Sequence, residues 1–131
     1  MLLIDAANVV GSRPDGWWRD RAGATRRLVE RVRASTIAGR LDPPVVVVVE
    51  GAARPGVPEG DADGVKVLHA AGSGDDLLVE LATAAPPTPV VLVSADRELR
   101  RRVAATGATT VGPDWLHGRL LGMTTPREPT D

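Results

Sequence analysis

The sequence predicts an α/β protein with a mainly parallel sheet, and three observations predict it. Short apolar runs alternate with helical segments from one end to the other. The apolar residues are almost all Val, Leu, Ala and Ile, with no Phe or Tyr, a composition suited to strands buried on both faces. Three of the runs stop on or close to an acid, at Asp5, Glu50 and Asp96. Ligands of such folds bind beyond the carboxyl ends of the strands, at the point where the winding reverses.

Residues 1–5 read as a buried strand that ends on a carboxylate. Residues 6–18 read as loop, broken by Gly11, Pro14 and Gly16. A helix is expected over 18–38, where Leu28, Val29, Val32 and Ile37 recur at roughly helical spacing. Gly39 suits its end, and Asp42-Pro43-Pro44 enforces the break. Five successive valines, 45–49, between prolines and Glu50-Gly51 predict a central strand.

Residues 52–63 are rich in Gly, Pro and acid and read as a mobile loop. A short strand follows over 65–68. Residues 75–82 read as a helix with Asp75 and Asp76 in its first turn, closed by the prolines of 85–89. A strand over 89–94 leads to a basic helix over 96–106, with Leu99 and Val103 inward and Gly107 as its stop. Residues 109–111 make a last strand and 113–121 a short helix, with Pro113 suited to its first turn. We expect one domain over 1–122 and a disordered tail over 123–131, without internal repeats.

The chain has 131 residues, enough for one core. Its net charge of -1 does not mark it as a nucleic-acid binder, but its arginines cluster. Without cysteine, disulfide frameworks and thiolate metal sites are excluded. No apolar run approaches the ~20 residues that span a bilayer. The first residues carry Asp5 and no basic segment, so a signal peptide is not expected and the cytoplasm is the expected location.

The chemistry lies in the acids. Carboxylate oxygens are the hard ligands that Mg²⁺ and Mn²⁺ prefer. Neighbouring carboxylates repel unless a cation joins them, and such an ion can position a phosphate and activate a water. Asp5, Asp75, Asp76 and Asp96 are therefore read as one anionic pocket. The plainer reading makes Asp75 and Asp96 helix caps and Asp76 a first-turn acid. Asn8 either supports the pocket or shapes its loop, and Ser94 either contacts phosphate or precedes the helix. Arg97, Arg100, Arg101 and Arg102, with Arg19, Arg21, Arg26 and Arg27 on the first helix, are candidate phosphate contacts or solvated faces. Trp17-Trp18 either stack on bases or cover the core edge. His69 and His117 lack a partner pattern and read as structural or surface residues. No Ser-His-Asp arrangement, G-x-S-x-G or P-loop is present.

These residues resemble a known family. Ile4-Asp5-Ala6-Ala7-Asn8-Val9-Val10-Gly11 is similar to the opening segment of the NYN/YacP-like branch of the PIN-domain nucleases. Val46 to Gly51, Gly64-Val65-Lys66-Val67 followed by Asp75-Asp76, Val93-Ser94-Ala95-Asp96-Arg97-Glu98-Leu99 and Gly112-Pro113-Asp114-Trp115-Leu116 resemble its later motifs in order. The resemblance implies a three-layer Rossmann-like PIN fold with strand order 3-2-1-4-5. It implies Mg²⁺- or Mn²⁺-dependent RNA cleavage by hydroxide attack on phosphorus. Asp5, Asp75 and Asp96 would be metal ligands, Asp76 would orient water or bind in an outer shell, and Asn8 would support the site. Glu50 stands where Asp is usual, as a possible additional ligand. Gly72 and Ser73 stand where a further acid is expected. The family is also compatible with a homodimer.

A metal-dependent ribonuclease is thus the first expectation, with RNA as partner and no membrane. A catalytically weakened module that binds RNA or protein is the alternative. A response receiver or phosphatase of related topology is disfavoured: no D-x-D follows the first strand, and Lys66, the only lysine, is badly placed.

Overall fold

The structure is a computed structural model and describes residues 1–84 and 88–120. Most of the expected proline break at 85–89 and the expected tail lie outside these residues, while the last helix, expected to reach 121, already ends at His117 with Gly118 as its C-cap. One six-stranded sheet carries the fold, in the order β3-β4-β2-β1-β5-β6. Its parallel strands are β1 (Leu2–Asp5), β2 (Val45–Val49), β4 (Val65–His69), β5 (Val91–Val93) and β6 (Thr109–Val111). Counted alone, they run 3-2-1-4-5, as expected. β3 (Gly60–Ala62) adds an antiparallel edge against β4.

The period of two along each strand sorts the core into two layers. Leu2, Ile4, Val45, Val47 and Val49 join one cluster, with Val29 and Val32 of α2 (Arg21–Ile37) and Leu116 of α5 (Pro113–His117). Leu3, Val46, Val48 and Leu92 join the other, with Leu78 of α3 (Gly74–Ala84) and Leu99 and Val103 of α4 (Arg97–Ala104). Helices therefore cover both faces, which makes the architecture a three-layer Rossmann-like α/β fold. Among the described residues no helix is long and apolar enough to cross a membrane.

Three expectations are corrected. The stretch after β1 is not all loop: α1 (Ala6–Gly11) starts at once, because the Asp5 carboxylate accepts the Asn8 N–H and so caps it. A 3₁₀ turn at Trp17–Arg19 follows, and α2 begins on a second acid cap, Asp20 to the Gly23 N–H at 2.8 Å. The segment expected to be a mobile loop holds a 3₁₀ turn, Gly51–Gly56, and strand β3. Ile37, expected on the buried stripe of α2, is 69% exposed as the last residue of that helix.

Candidate functional site

Asp5 shares the pleat parity of Leu3, and Glu50 that of Val46 and Val48, so both side chains leave the strand ends toward the α3–α4 layer. The first turn of α3 supplies Asp75 and Asp76 there, and the N-cap of α4 supplies Asp96. β1 and β5 are adjacent, while the chain winds outward from β1 through β2 and β4 and then returns to β5. Asp5 and Asp96 thus flank the point where the winding reverses.

A chain of hydrogen bonds fixes these acids. Asp5 is only 6% exposed, and both its oxygens are engaged. Oδ1 accepts the Asn8 N–H at 3.3 Å, and Oδ2 accepts the Ser94 hydroxyl at 3.0 Å. The same hydroxyl oxygen accepts the Asp96 N–H at 3.1 Å, and Asp96 Oδ1 accepts the Leu99 N–H at 3.0 Å. The Asn8 side-chain oxygen accepts the Ala95 N–H at 2.7 Å, holding α1 to the β5–α4 turn. On the other side Glu50 Oε1 accepts the Gly74 N–H at 2.9 Å. A Cβ on Gly74 would lie 2.5 Å from that oxygen, so the close approach depends on glycine.

The electrostatics are strained in one direction. Burial pushes the Asp5 carboxyl up to about 6, and the charges of Asp75 and Glu50 add to this, while the bonds from Ser94 and Asn8 oppose it. Asp75 is also pushed up, by burial first and then by Asp96, Glu50 and Asp76, with Arg102 opposing. Asp76 itself faces an arginine: its Oδ1 accepts Arg102 Nη2 at 3.1 Å in an exposed pair. Such pairs contribute little in water.

Oxygen donors of like charge that raise one another's proton affinity fit a hard divalent cation in chemical type. The arrangement is not a closed chelate. Among the described residues no group of three or more His, Asp or Glu is drawn together closely enough to hold a metal ion. Asp5, Glu50 and Asp96 each spend an oxygen on a backbone N–H.

Several expected contacts fall differently. Ser94 is fully buried, so it does not reach RNA; its hydroxyl is used up between Asp5 and Asp96. Asn8 likewise spends its side-chain oxygen on the backbone rather than on a ligand. Arg100 is half-buried and donates from Nε to Thr110, and Arg101 pairs with Glu98 in a fully exposed i,i+3 contact. Arg97 is exposed beside Asp96. Arg19 and Arg21 are exposed too, and stand over Trp18 and Trp17 at 5.8 and 5.2 Å from the ring centroids. Sequence reasoning missed Gly74 as part of the site, and read Arg102 as a phosphate contact or solvated residue rather than as the partner of Asp76. The glycine just before the acidic pair was the available signal for the first.

Two cavities lie along α1 and α2. The larger, about 300 Å³, lies away from the acids, between Val9, Arg13, Arg27, Arg31 and His117. Ser12 Oγ donates to the Val9 carbonyl at 2.6 Å, so it accepts from His117 Nε2 at 3.0 Å. Burial and the charges of Arg13 and Arg31 push that histidine's pKa down, which favours the neutral ring. The smaller cavity, about 160 Å³, is bordered by Trp17 and, of the acids, by Glu50.

Fold and site together define a Rossmann-like α/β protein with buried and half-buried carboxylates at its topological switch point. No family model and no curated protein matches the sequence. Among solved structures the chain is similar to Rae1 (YacP) from Bacillus subtilis, with a TM-score of 0.73 and 17% identity over 90% of this chain and 71% of that one. The W164L mutant of the same protein gives a TM-score of 0.70 and 18% identity, over 89% of this chain and 72% of that one. At this level of identity the likeness is one of fold, and the chain has a YacP-like fold.

Proposed function

We propose that this protein is a Mg²⁺- or Mn²⁺-dependent ribonuclease that cleaves RNA phosphodiester bonds at the Asp5–Asp75–Asp96 pocket. The observation that carries the reading is Asp5. A buried carboxylate at the switch point, facing Asp75 and Glu50 and pushed up to about 6, is costly to keep charged unless a cation is bound. A divalent ion held by Asp5, Asp75 and Asp96, with Glu50 alongside, would supply the positive charge that steadies the phosphate and eases deprotonation of the attacking water.

The chain's own residues do the rest. Ser94 and the Asn8 amide hold the Asp5 carboxylate in one orientation. Asp96, kept in place by its bond to the Leu99 N–H, presents its other oxygen. Glu50 anchors the start of α3 and thereby places Asp75. Arg97, exposed at the start of α4, would take a phosphate of the bound strand.

A second reading has its own observation. The carboxylates already serve as caps and anchors, and no three-ligand group is closed among the described residues. A module that binds RNA without cutting it would keep the same network. Incubating a labelled single-stranded RNA with the protein in Mn²⁺ separates the two. Cleavage that is lost in Asp96→Asn, together with a Mn²⁺-dependent rise in Tm, supports the nuclease. RNA binding without cleavage and without a metal-dependent Tm shift supports the binding module.

A further inference from the structure

We propose that the cavity beside Glu50 seats one unpaired base of the RNA, stacked on Trp17, next to the bond being cut. The inference deepens the ribonuclease reading and rests on it. The cavity of about 160 Å³ lies between Ala7 of α1, Arg21 and Thr25 of α2, and Glu50 to Ala53 after β2. Glu50 is the hinge of the argument. It borders this cavity, and its carboxylate is anchored on Gly74, one residue before Asp75. A base held here therefore belongs to a nucleotide close to the acidic pocket.

The walls have the chemistry of a stacking site. Trp17 is half-buried and packed edge-on against Trp18, with centroids 5.9 Å apart and planes at 86°, so its ring is held rather than loose. Its six-membered ring runs close to Gly11, where a Cβ would lie 3.6 Å away. The Arg21 guanidinium, 5.2 Å from the Trp17 centroid, adds a cation that suits either a base face or a phosphate. Ala7, Ala52 and Ala53 are small and leave the space open. The volume takes a single heterocycle and not a base pair, which points to single-stranded RNA with a base turned out of its stack. The chain has no Phe or Tyr, and of its three tryptophans Trp17 is the one that lines this cavity.

The test uses a set of single-stranded oligoribonucleotides with one cleavage site and a single abasic position moved along the strand. The expected result is a loss of about tenfold or more in kcat/KM at one position beside the cut, and little effect elsewhere. Trp17→Leu should show that loss on intact RNA and no further loss on the abasic strand, and Trp17→Phe should restore most of the activity. Both variants should keep the wild-type Mn²⁺-dependent Tm shift, which shows that the acidic pocket is intact. Equal cleavage of every abasic strand by the wild-type protein overturns the base site and leaves the nuclease reading standing. No cleavage of any RNA by the wild-type protein overturns the nuclease reading and this inference with it.

Discussion

The Ser94 hydroxyl donates to Asp5 Oδ2 at 3.0 Å, joining the ends of two adjacent parallel strands through residues 89 positions apart in the chain. Ser94 is fully buried and also accepts the Asp96 N–H, so one hydroxyl sets two of the three proposed ligands. Ser94→Ala removes the donor from a buried carboxylate and the acceptor from an amide. The expected cost is about 1–3 kcal/mol of stability at neutral pH. The cost should be smaller near pH 4, where folded Asp5 is protonated and needs its donor less. Urea titrations of both proteins at the two pH values measure this, and an equal cost at both would show that Ser94 does not act through the charge of Asp5.

Asp5 makes the stability of the metal-free protein depend on pH in an unusual direction. Its ordinary pKa is 3.8, and burial with like charges moves it up to about 6 in the fold. Between those values the folded chain keeps a proton that the unfolded chain has released. Stability is therefore highest below the unfolded pKa and falls as pH rises through the folded one, by about 3 kcal/mol in all from this group. Asp5→Asn removes the penalty and keeps an oxygen for the Asn8 amide, while the Ser94 hydroxyl can turn to accept from the new amide. The variant should melt above the wild type at pH 7.5 without metal, with the gap closing toward pH 4. A gap that stays constant with pH contradicts the raised Asp5 pKa.

Asp96 has two roles that substitution can separate. Its Oδ1 caps α4 at Leu99, and its other oxygen is the proposed metal ligand. Asp96→Ala should lose about 1 kcal/mol through the missing cap. Asp96→Asn keeps a good cap and should fold with nearly wild-type stability, yet lose the Mn²⁺-dependent rise in Tm as completely as the alanine variant. Retention of that rise in Asp96→Asn would remove Asp96 from the ligand set.

The frame of the site was legible because strands buried on both faces leave continuous apolar runs, and an acid that ends such a run stands out. That reasoning located Asp5, Glu50 and Asp96, and the first-turn position of Asp75 and Asp76. It failed where local pattern and tertiary pairing part. α1 has six residues, too few to show a helical period, and Asp5 looks the same as a strand terminus or as a cap. β3 reads Gly-Asp-Ala, with no strand propensity, and exists through its backbone pairing with β4. Ser94 read either as a phosphate contact or as a residue preceding the helix, and its partner Asp5 went unseen because it lies at the other end of the sequence. Its burial follows from the adjacency of β1 and β5, which spacing along the chain does not reveal.

The seat of the small cavity can be tested through a glycine that touches no acid. The 3₁₀ turn Gly51–Gly56 packs against α2, and a Cβ on Gly56 would lie 2.0 Å from the Ala22 carbonyl oxygen. That neighbour is backbone within a 17-residue helix and cannot swing aside. Gly56→Ala must then push the turn away from α2, at an expected cost of about 1–3 kcal/mol or more. Gly72 provides the control. A Cβ there meets nothing within 4 Å, so Gly72→Ala should stay within about 0.5 kcal/mol of the wild type. The displaced turn carries Ala52 and Ala53, which line the cavity, while Asp5, Asp75 and Asp96 stand on other elements. Gly56→Ala should consequently reproduce part of the Trp17→Leu loss in cleavage while the Mn²⁺-dependent Tm shift persists. If Gly56→Ala and Gly72→Ala are equally benign, the turn does not sit on α2 as described, and the cavity loses one of its walls.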